Sequence, residues 1–531
     1  MNTSGLYPSI FNDVIGPVMR GPSSSHVAAS ARIGKVALQL LAGELRQAIV
    51  ELDEHGAIAP TYRGHGTEVG LVSGLLGWQP HHEFLAQSVA IAKDKGLSVD
   101  FRIVSLQADH PNTMKLTLIG VPEEVCVWAI STGGGMFEIT NIQGFPVSVC
   151  GDFCETLFVI ADDAGAVSAL RDALERCLGE PAETTVSENP DTHRLMVQMK
   201  TTQRFDDQSA AEILRFPFVE TMYRLDPVLP TLSSRDCQVP FSTARELEDF
   251  VSQPVGSSMA IWELAALYES QRGGRSVTTV LETMRGIVRI MKSSVISALK
   301  GTEYADRILG AQAYRVLEAE EMGRLIPMGV LNTVIAWTTA MMEAKSAMGV
   351  IVAAPTAGSC GVLPGTLLGS AHVMDLDEDA VVEAMMTAGL IGVFIAKGAT
   401  FAAEVCGCQA ECGAASAMAA AGLVTLMDGT TQQAMDAASV ALQNVLGLIC
   451  DPVADRVEVP CLGKNIMAAS NAVAAANMIL SGFDVVIPLD ETIAAMYKVG
   501  EMLPPELRCT GLGGLSVTDT AKTISNRMQG T

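Results

Sequence analysis

Cys408-Gln-Ala-Glu411, Cys450-Asp-Pro452 and Pro460-Cys-Leu-Gly-Lys-Asn465 mark the stretch around which this chain is read. Its cysteines at 408, 450 and 461 are spaced C-x41-C-x10-C, and the residues between them are rich in Ala, Gly and Met, a composition suited to tightly packed helices. Three thiolates brought together by such a fold could hold an iron–sulfur cluster with one iron open, and an open iron is a Lewis acid. Spacing alone leaves Cys406 and Cys412 as alternatives, because a cysteine in an apolar helix is ordinarily a packed thiol. Cys450 before Asp-Pro and Cys461 before Leu-Gly-Lys-Asn fall at helix boundaries, where backbone N–H groups reach sulfur. There is no C-x2-C pair, which disfavours a zinc ribbon.

Working outward, 531 residues call for two or three domains. Hydrophobic residues make up 49% and charged residues 18%, ample for a large interior. A net charge of −24 disfavours nucleic acid and anionic membrane as partners, though a local pocket can still bind a small anion. The apolar runs at 386–399 and 466–480 are broken by Gly, Ser or Asn and read as buried helices rather than membrane spans. No leader pattern opens the chain, and twelve cysteines over this length do not form a disulfide framework, so a cytoplasmic location is expected.

The composition divides the chain into residues 1–150, 151–225, a Pro-rich linker at 226–241, and 242–531. The fold class expected is an α+β N-terminal domain with a small β-α-β module, followed by a mostly α-helical C-terminal domain. In the first part, Gly21-Pro-Ser-Ser-Ser-His26 feeds a helix expected from about 27 to 45 and offers hydroxyls and N–H groups to an anion; the plainer reading is a capped helix start. Gly64 and Gly66 flank His65 and leave its imidazole unshielded, although a His in a flexible turn reads the same way. Strands are expected at 98–106, 114–119, 124–130 and 136–141, with His110-Pro-Asn-Thr113 as a turn and Gly133-Gly-Gly135 as a loop that hugs a ligand or simply turns. In the middle, 155–162 and 193–201 read as strands, 164–178 as a helix and 179–191 as a loop. From 242 onward, helical patterns cover 243–252, 258–271, 276–299, 307–322, 330–348, 378–400, 412–427, 431–447, 464–480 and 488–500.

Taken together, Gly-Pro-Ser-Ser-Ser-His (21–26), Gly-His-Gly-Thr (64–67), His-Pro-Asn-Thr (110–113), Gly-Gly-Gly (133–135), Pro-Thr-Ala-Gly-Ser (355–359), Cys-Gln-Ala-Glu (408–411), Cys-Asp-Pro-Val (450–453) and Pro-Cys (460–461) resemble the iron–sulfur-dependent L-serine dehydratases that use no pyridoxal phosphate, in their single-chain form. The resemblance implies a β-type domain at 1–150, an ACT-like or spacer module at 151–225, and an α-type domain at 242–531 with the site between the outer two. It also implies a [4Fe–4S] cluster held by Cys408, Cys450 and Cys461, with Cys360, Cys406 and Cys412 as neighbouring thiols. The activity implied is deamination of L-serine to pyruvate and ammonia, with His65 as base and His26 beside it. Ser23, Ser24, Ser25, Thr67, Asn112, Gly133, Gly134, Gly135, Lys464 and Asn465 would bind the substrate, and a homodimer is expected. Two departures bear on substrate detail: Val27 where the family often has Thr, and Gly463-Lys464-Asn465 where it often has Glu-Arg-Asn, a change that loses the bidentate fork of Arg. The rival readings are a lyase for another β-hydroxy or β-thiol amino acid, a non-catalytic cluster-carrying amino-acid sensor ligated by four cysteines, and a pyridoxal enzyme, for which no lysine has a supporting context.

Overall fold

Apolar and polar residues alternate along Glu124–Gly133 and every second side chain is buried, a period of two that fixes a strand with one face on a core. The computed structural model describes residues 7–161, 165–178, 184–233, 237–254, 256–304 and 307–529. Its first strands are β1 (Val18–Arg20), β2 (Glu44–Asp53), β3 (Ser98–Val104), β4 (Thr113–Val121), β5 (Glu124–Gly133), β6 (Met136–Ile142) and β7 (Phe145–Val149). Six of them form a sheet in the order β3-β2-β4-β5-β6-β7, in which β2 and β3 run parallel and all other neighbours antiparallel. The helices Ala29–Gln39 and Thr67–Leu75 share its core, and their backbones touch. A Cβ on Gly34 would lie 2.6 Å from the Leu71 carbonyl, and one on Gly74 would overlap the Ala31 carbonyl. This contact sets the position of the 61–66 turn that enters the second helix and carries His65.

The helix expected over 27–45 ends at Gln39, and its last residues belong instead to β2, the second strand of the sheet. Glu44-Leu-Arg-Gln reads locally as helix, but pairing between β3 and β4 overrides that preference. The helix Thr67–Leu75 was not anticipated at all. The strands expected at 98–106, 114–119, 124–130 and 136–141 are present as β3 to β6.

The middle of the chain contains β8 (Cys154–Ala161), the helix Ala166–Leu178, β9 (Thr184–Asn189), β10 (Arg194–Thr201), the helix Asp207–Ile213 and β11 (Val219–Leu225). The sheet order β11-β8-β10-β9, antiparallel throughout, is the ferredoxin-like βαββαβ arrangement. Of the loop expected at 179–191, residues 179–183 lie outside the described residues and 184–189 form β9, an edge strand whose polar sequence concealed it. The 226–241 segment is pinned rather than loose. Asn12 Nδ2 donates to the Thr231 carbonyl at 2.7 Å, the Thr231 N–H donates back to Asn12 Oδ1 at 3.0 Å, and Arg272 donates to Leu232 and Ser233. Residues 234–236 of it lie outside the described residues.

The remainder is mostly helical, as expected, and its core is built from Ala, Met, Leu and Val side chains. The expected helices are found with small shifts at their ends; 307–322, for example, shortens to Ala313–Glu321. Glu378–Gly398 has the length and apolarity to cross a bilayer but lies within this core. The N-terminal segment enters the same core. Ile10, Phe11, Val14, Ile15 and Met19 are buried there, β1 pairs with β12 (Val350–Val352), and Glu269 accepts from Ser9 Oγ at 2.6 Å and the Ile10 N–H at 2.8 Å. The first residues, grouped by composition with the α+β domain, thus fill the helical one.

The Gly34/Gly74 contact gives a test. Gly74→Ala must force the two helices apart and should destabilise by about 1–3 kcal/mol, the usual range for overpacking. Gly286→Ala, where an added methyl meets open space within the helix Val277–Leu299, should stabilise by about 0.5–1 kcal/mol. Thermal unfolding of the two variants reads both signs.

Candidate active site

The three cysteines of the spaced motif lie at the ends of separate elements. Cys408 sits in the 407–409 turn before the helix Cys412–Leu426, and Cys461 opens the helix Cys461–Leu480. Cys450 is bridged to the C-terminal segment: its N–H donates to the Leu507 carbonyl at 2.9 Å, and its own carbonyl accepts from the Cys509 N–H at 3.1 Å. The Cys408 and Cys450 sulfurs and a Glu411 carboxylate oxygen lie within 4.8 Å of one another. Cys408 is hydrogen-bonded to Cys450 and Cys450 to Cys509, sulfur to sulfur. Cys461 and Cys412 are close enough for the charge of Cys408 to act on both. Of the three motif cysteines, Cys408 and Cys450 are in direct contact and Cys461 lies outside the group within 4.8 Å, while Cys509 and Cys412 lie near them as two thiols beyond the motif. Cys406 is turned away, its sulfur toward the Tyr497 carbonyl.

These thiols are crowded and buried. Cys408 is pushed well above the usual thiol range, first by its hydrogen bond to Cys450 and then by burial; burial pushes Cys461 up to about 12. Several soft donors held so close together cannot all ionise without a positive charge among them, so the donor set is compatible with an iron–sulfur cluster. Lys464 supplies part of that charge, with Nζ 3.9 Å from Cys408 Sγ. Expected to meet a substrate carboxylate, it is engaged by Asp451 Oδ1 at 2.6 Å and the Ile449 carbonyl at 2.7 Å. Asn465 is likewise occupied: Nδ2 donates to the Gly358 and Cys461 carbonyls and faces Cys412 Sγ, while Oδ1 accepts from the Gly361 N–H. Glu411 accepts from Thr356 Oγ1 at 2.6 Å, and burial pushes its carboxyl up to about 7.

His65 comes to this place from the other side of the molecule. Gly66, at φ 89°, turns the chain into the helix Thr67–Leu75, a conformation that glycine adopts freely. A Cβ on Gly64 would lie 3.0 Å from the carbonyl of Asp455, in the loop between Cys450 and Cys461. That carbonyl accepts a hydrogen bond from the His65 ring. Nε2 of His65 is buried without a partner among the described residues, so Nδ1 makes the bond to the carbonyl and Nε2 presents a lone pair. Burial, and then the charges of Lys345 and Arg456, lower the His65 pKa to about 4. His26 packs edge-on at 4.7 Å between ring centroids, with both nitrogens taken: Nδ1 by Ser23 Oγ at 2.9 Å and Nε2 by Thr61 Oγ1 at 3.0 Å. Thr61 Oγ1 itself donates to the Ala57 carbonyl, so His26 donates from Nε2 and accepts at Nδ1. His26 therefore positions the neighbouring ring.

The expected serine loop forms a wide π-helical turn, Ser24–Ala28, and Ser24 Oγ accepts from the Ala357 N–H at 3.2 Å, tying the two halves of the site together. Ser25 is almost completely buried beside it. Among the described residues Thr67 Oγ1, Asn112 Oδ1 and Ser131 Oγ are buried without partners, and Asn112, just before β4, is hydrogen-bonded to Ser131 in β5. Gly133, Gly134 and Gly135 run beside Ala402, Pro355 and Pro17, so the loop lies in the seam between the α+β and helical parts. Sequence reading missed Ser131, hidden in a strand pattern. It also missed Lys345, in the last turn of a helix that is otherwise mostly apolar.

Comparison with known proteins matches these two sides separately. Residues 13–141 match the serine dehydratase beta chain family and residues 256–516 the serine dehydratase alpha chain family. The probable L-serine dehydratase alpha chain of Bacillus subtilis is 35% identical over 286 residues, 54% of this chain and 95% of that one. This chain belongs to the serine dehydratase family. The probable L-serine dehydratase beta chain of the same organism is 35% identical over 211 residues, 40% of this chain and 94% of its own length. L-serine dehydratase 2 of Escherichia coli is 26% identical over 508 residues, 94% of this chain and 96% of that one, so both sides occur in one polypeptide there as here. All five thiols fall in the region that matches the family's alpha chain, and His26, His65, Asn112 and Ser131 in the region that matches its beta chain.

Because the folded pKa of His65, about 4, lies below the unfolded value near 6.5, the unfolded chain binds the extra proton between those limits and stability falls as pH drops through that window. His26, lowered by burial and then by His65, adds in the same direction. The metal-free chain should lose stability between pH 6.5 and 5, and His65→Gln should lose less, by on the order of 1 kcal/mol per pH unit. Urea unfolding at the two pH values measures the difference.

Proposed function

We propose that this chain is an L-serine dehydratase that converts L-serine to pyruvate and ammonia. The observation that carries the reading is the unpartnered Nε2 of His65, held against the loop that joins two of the buried cysteines, in a chain similar over 94% of its length to a protein named L-serine dehydratase. A [4Fe–4S] cluster held by Cys408, Cys450 and Cys461 would supply Lewis-acid activation of the β-hydroxyl. His65, neutral at physiological pH, takes the α-proton at Nε2, the electron pair left on Cα forms the Cα–Cβ double bond as the β-carbon–oxygen bond breaks, and the departing hydroxide takes the proton back from the imidazolium to leave as water. His26, held at both nitrogens, fixes the ring plane of His65. Ser25, Thr67, Asn112 and Ser131 offer polar atoms to the substrate, and burial excludes bulk water while the proton is held on the imidazole. The released enamine tautomerises to an imine, and hydrolysis gives pyruvate and ammonia.

In this reading residues 1–150 are the β-type domain, 151–225 an ACT-like or spacer module, 226–241 a linker and 242–531 the α-type domain of a cytoplasmic homodimer. The presence of Cys412 and Cys509 beside the other three supports a second reading, a cluster ligated by four cysteines in a protein without turnover.

Anaerobic reconstitution with iron and sulfide, followed by assay of pyruvate and ammonia from L-serine, separates the two. Turnover is expected; a stable cluster with no product would establish the sensor. His65→Ala should lose about 10²–10⁴-fold in kcat while cluster absorbance is retained. Ser at position 408, 450 or 461 should cost cluster iron, whereas Cys412→Ser should retain it; iron analysis and absorbance of the four variants decide the ligand set.

A further inference from the structure

The reaction needs a cation for the substrate carboxylate, and the lysine expected to provide it is engaged elsewhere. Lys464 is held by Asp451, the Ile449 carbonyl and the Cys408 sulfur. A second lysine lies wholly inside the protein. Lys345, in the last turn of the helix Val330–Ser346, is 0% exposed, and its one hydrogen bond among the described residues runs from Nζ to the Val457 carbonyl at 2.5 Å. An ammonium has three donors, and burying one with donors unused is costly. No carboxylate of the described residues lies within ion-pair distance of it.

Its tether locates it. Val457 is two residues from Asp455, whose carbonyl holds His65, so one short run of backbone fixes the ammonium and the imidazole side by side. The charge of Lys345 bears on His65 on one side, and on Cys461, Glu411 and Cys360 on the other. Arg456, the other cation that acts on His65, is only half-buried, and acts on none of these three. An α-amino acid whose Cα–H meets His65 Nε2 and whose hydroxyl points toward the cysteines has its carboxylate one bond from Cα. The position required for its counter-charge is therefore beside the imidazole and short of the sulfurs, which is where Lys345 stands.

We propose that Lys345 binds the substrate α-carboxylate and makes the site selective for a free amino acid over its amide. This rests on the serine dehydratase reading. The α-carboxylate accepts from the unused N–H groups of Nζ while the bond to Val457 stays in place, so the loop that holds the base is also the loop that registers the substrate. A purely structural lysine at a helix C-terminus would stabilise the fold without regard to the substrate's charge.

The test compares L-serine with L-serinamide, which keeps the α-proton and hydroxyl but lacks the anion. The reconstituted wild type should prefer serine roughly 100-fold or more in kcat/KM. Lys345→Met and Lys345→Gln should lose about 100-fold toward serine, mainly in KM, with serinamide changed less than about 5-fold, so the preference collapses. Calorimetric binding of L-alanine, which has the carboxylate but no leaving group, should weaken in parallel. Cluster absorbance and circular dichroism identify which variants are folded and loaded, and either one suffices. Retention of the acid-over-amide preference in a folded, loaded variant overturns the proposal, as does its loss in Arg456→Met instead. A loaded wild type that makes no pyruvate from serine overturns the serine dehydratase reading itself; normal wild-type turnover with an unchanged preference in the lysine variants overturns only the role of Lys345.

Discussion

The carbonyl of Asp455 accepts a hydrogen bond from the His65 ring, and the rest of the site takes its position from that contact. It crosses from the loop between two cysteines to the turn that enters the helix Thr67–Leu75, so a base and a set of sulfurs from distant parts of the chain share a few residues of backbone. The loop achieves this at a conformational cost. Ala454 and Asp455 are both left-handed, at φ 52° and 51°, a region that costs about 1–2 kcal/mol for a residue with a side chain. Surrounding bonds hold it there: Asp451 accepts from Lys464 and the Leu515 N–H, Ser516 donates to the Pro452 carbonyl, and Glu458 accepts the N–H groups of Ile308 and Leu309. Strain at a functional loop, offset by bonds just outside it, is how a carbonyl is kept aimed at one imidazole.

Local electrostatics oppose the sign of the whole. The chain carries a net charge of −24, yet Lys345, Lys464 and Arg456 gather around the thiols and His65. Two of these cations do different work. Lys464, paired with Asp451, moderates the charge of the sulfurs; Lys345 has no carboxylate within ion-pair distance among the described residues, and is the group proposed to meet one that arrives from outside.

Much of this was legible in the sequence, for a physical reason. Helices in the C-terminal part are long, capped and periodic, so Val277–Leu299 and Glu378–Gly398 were readable to within two residues at either end. The approach of residues 408 and 450 could be anticipated because their spacing is conspicuous, whereas the Glu411 carboxylate that lies with them within 4.8 Å could not. What escaped was set by tertiary structure. β2 is a strand because two neighbours hydrogen-bond to it, not because Glu44-Leu-Arg-Gln prefers one. Cys509 joins the other thiols through a backbone bridge to Cys450, which no local pattern announces. Lys464 and Asn465 lie in a legible motif, but their hydrogen-bond partners were not legible, and the partners show that both side chains are committed. Lys345, beside Glu343 in the last turn of its helix, reads locally like an ordinary surface charge, and only the fold shows that it is wholly buried.

The first described residues have a consequence for how such a protein can be divided. Ile10, Phe11, Val14, Ile15 and Met19 are interior to the helical part, Ser9 and Ile10 are bound by Glu269, and β1 is zipped to β12. The seam that holds the candidate catalytic groups therefore passes through a continuous interior instead of lying along two finished surfaces. Severing the peptide between the halves would leave each with an unfilled socket or a bare plug, and the fragments would remain docked like an obligate pair. A single polypeptide keeps plug and socket at high effective concentration, so assembly of the centre becomes a folding event independent of dilution.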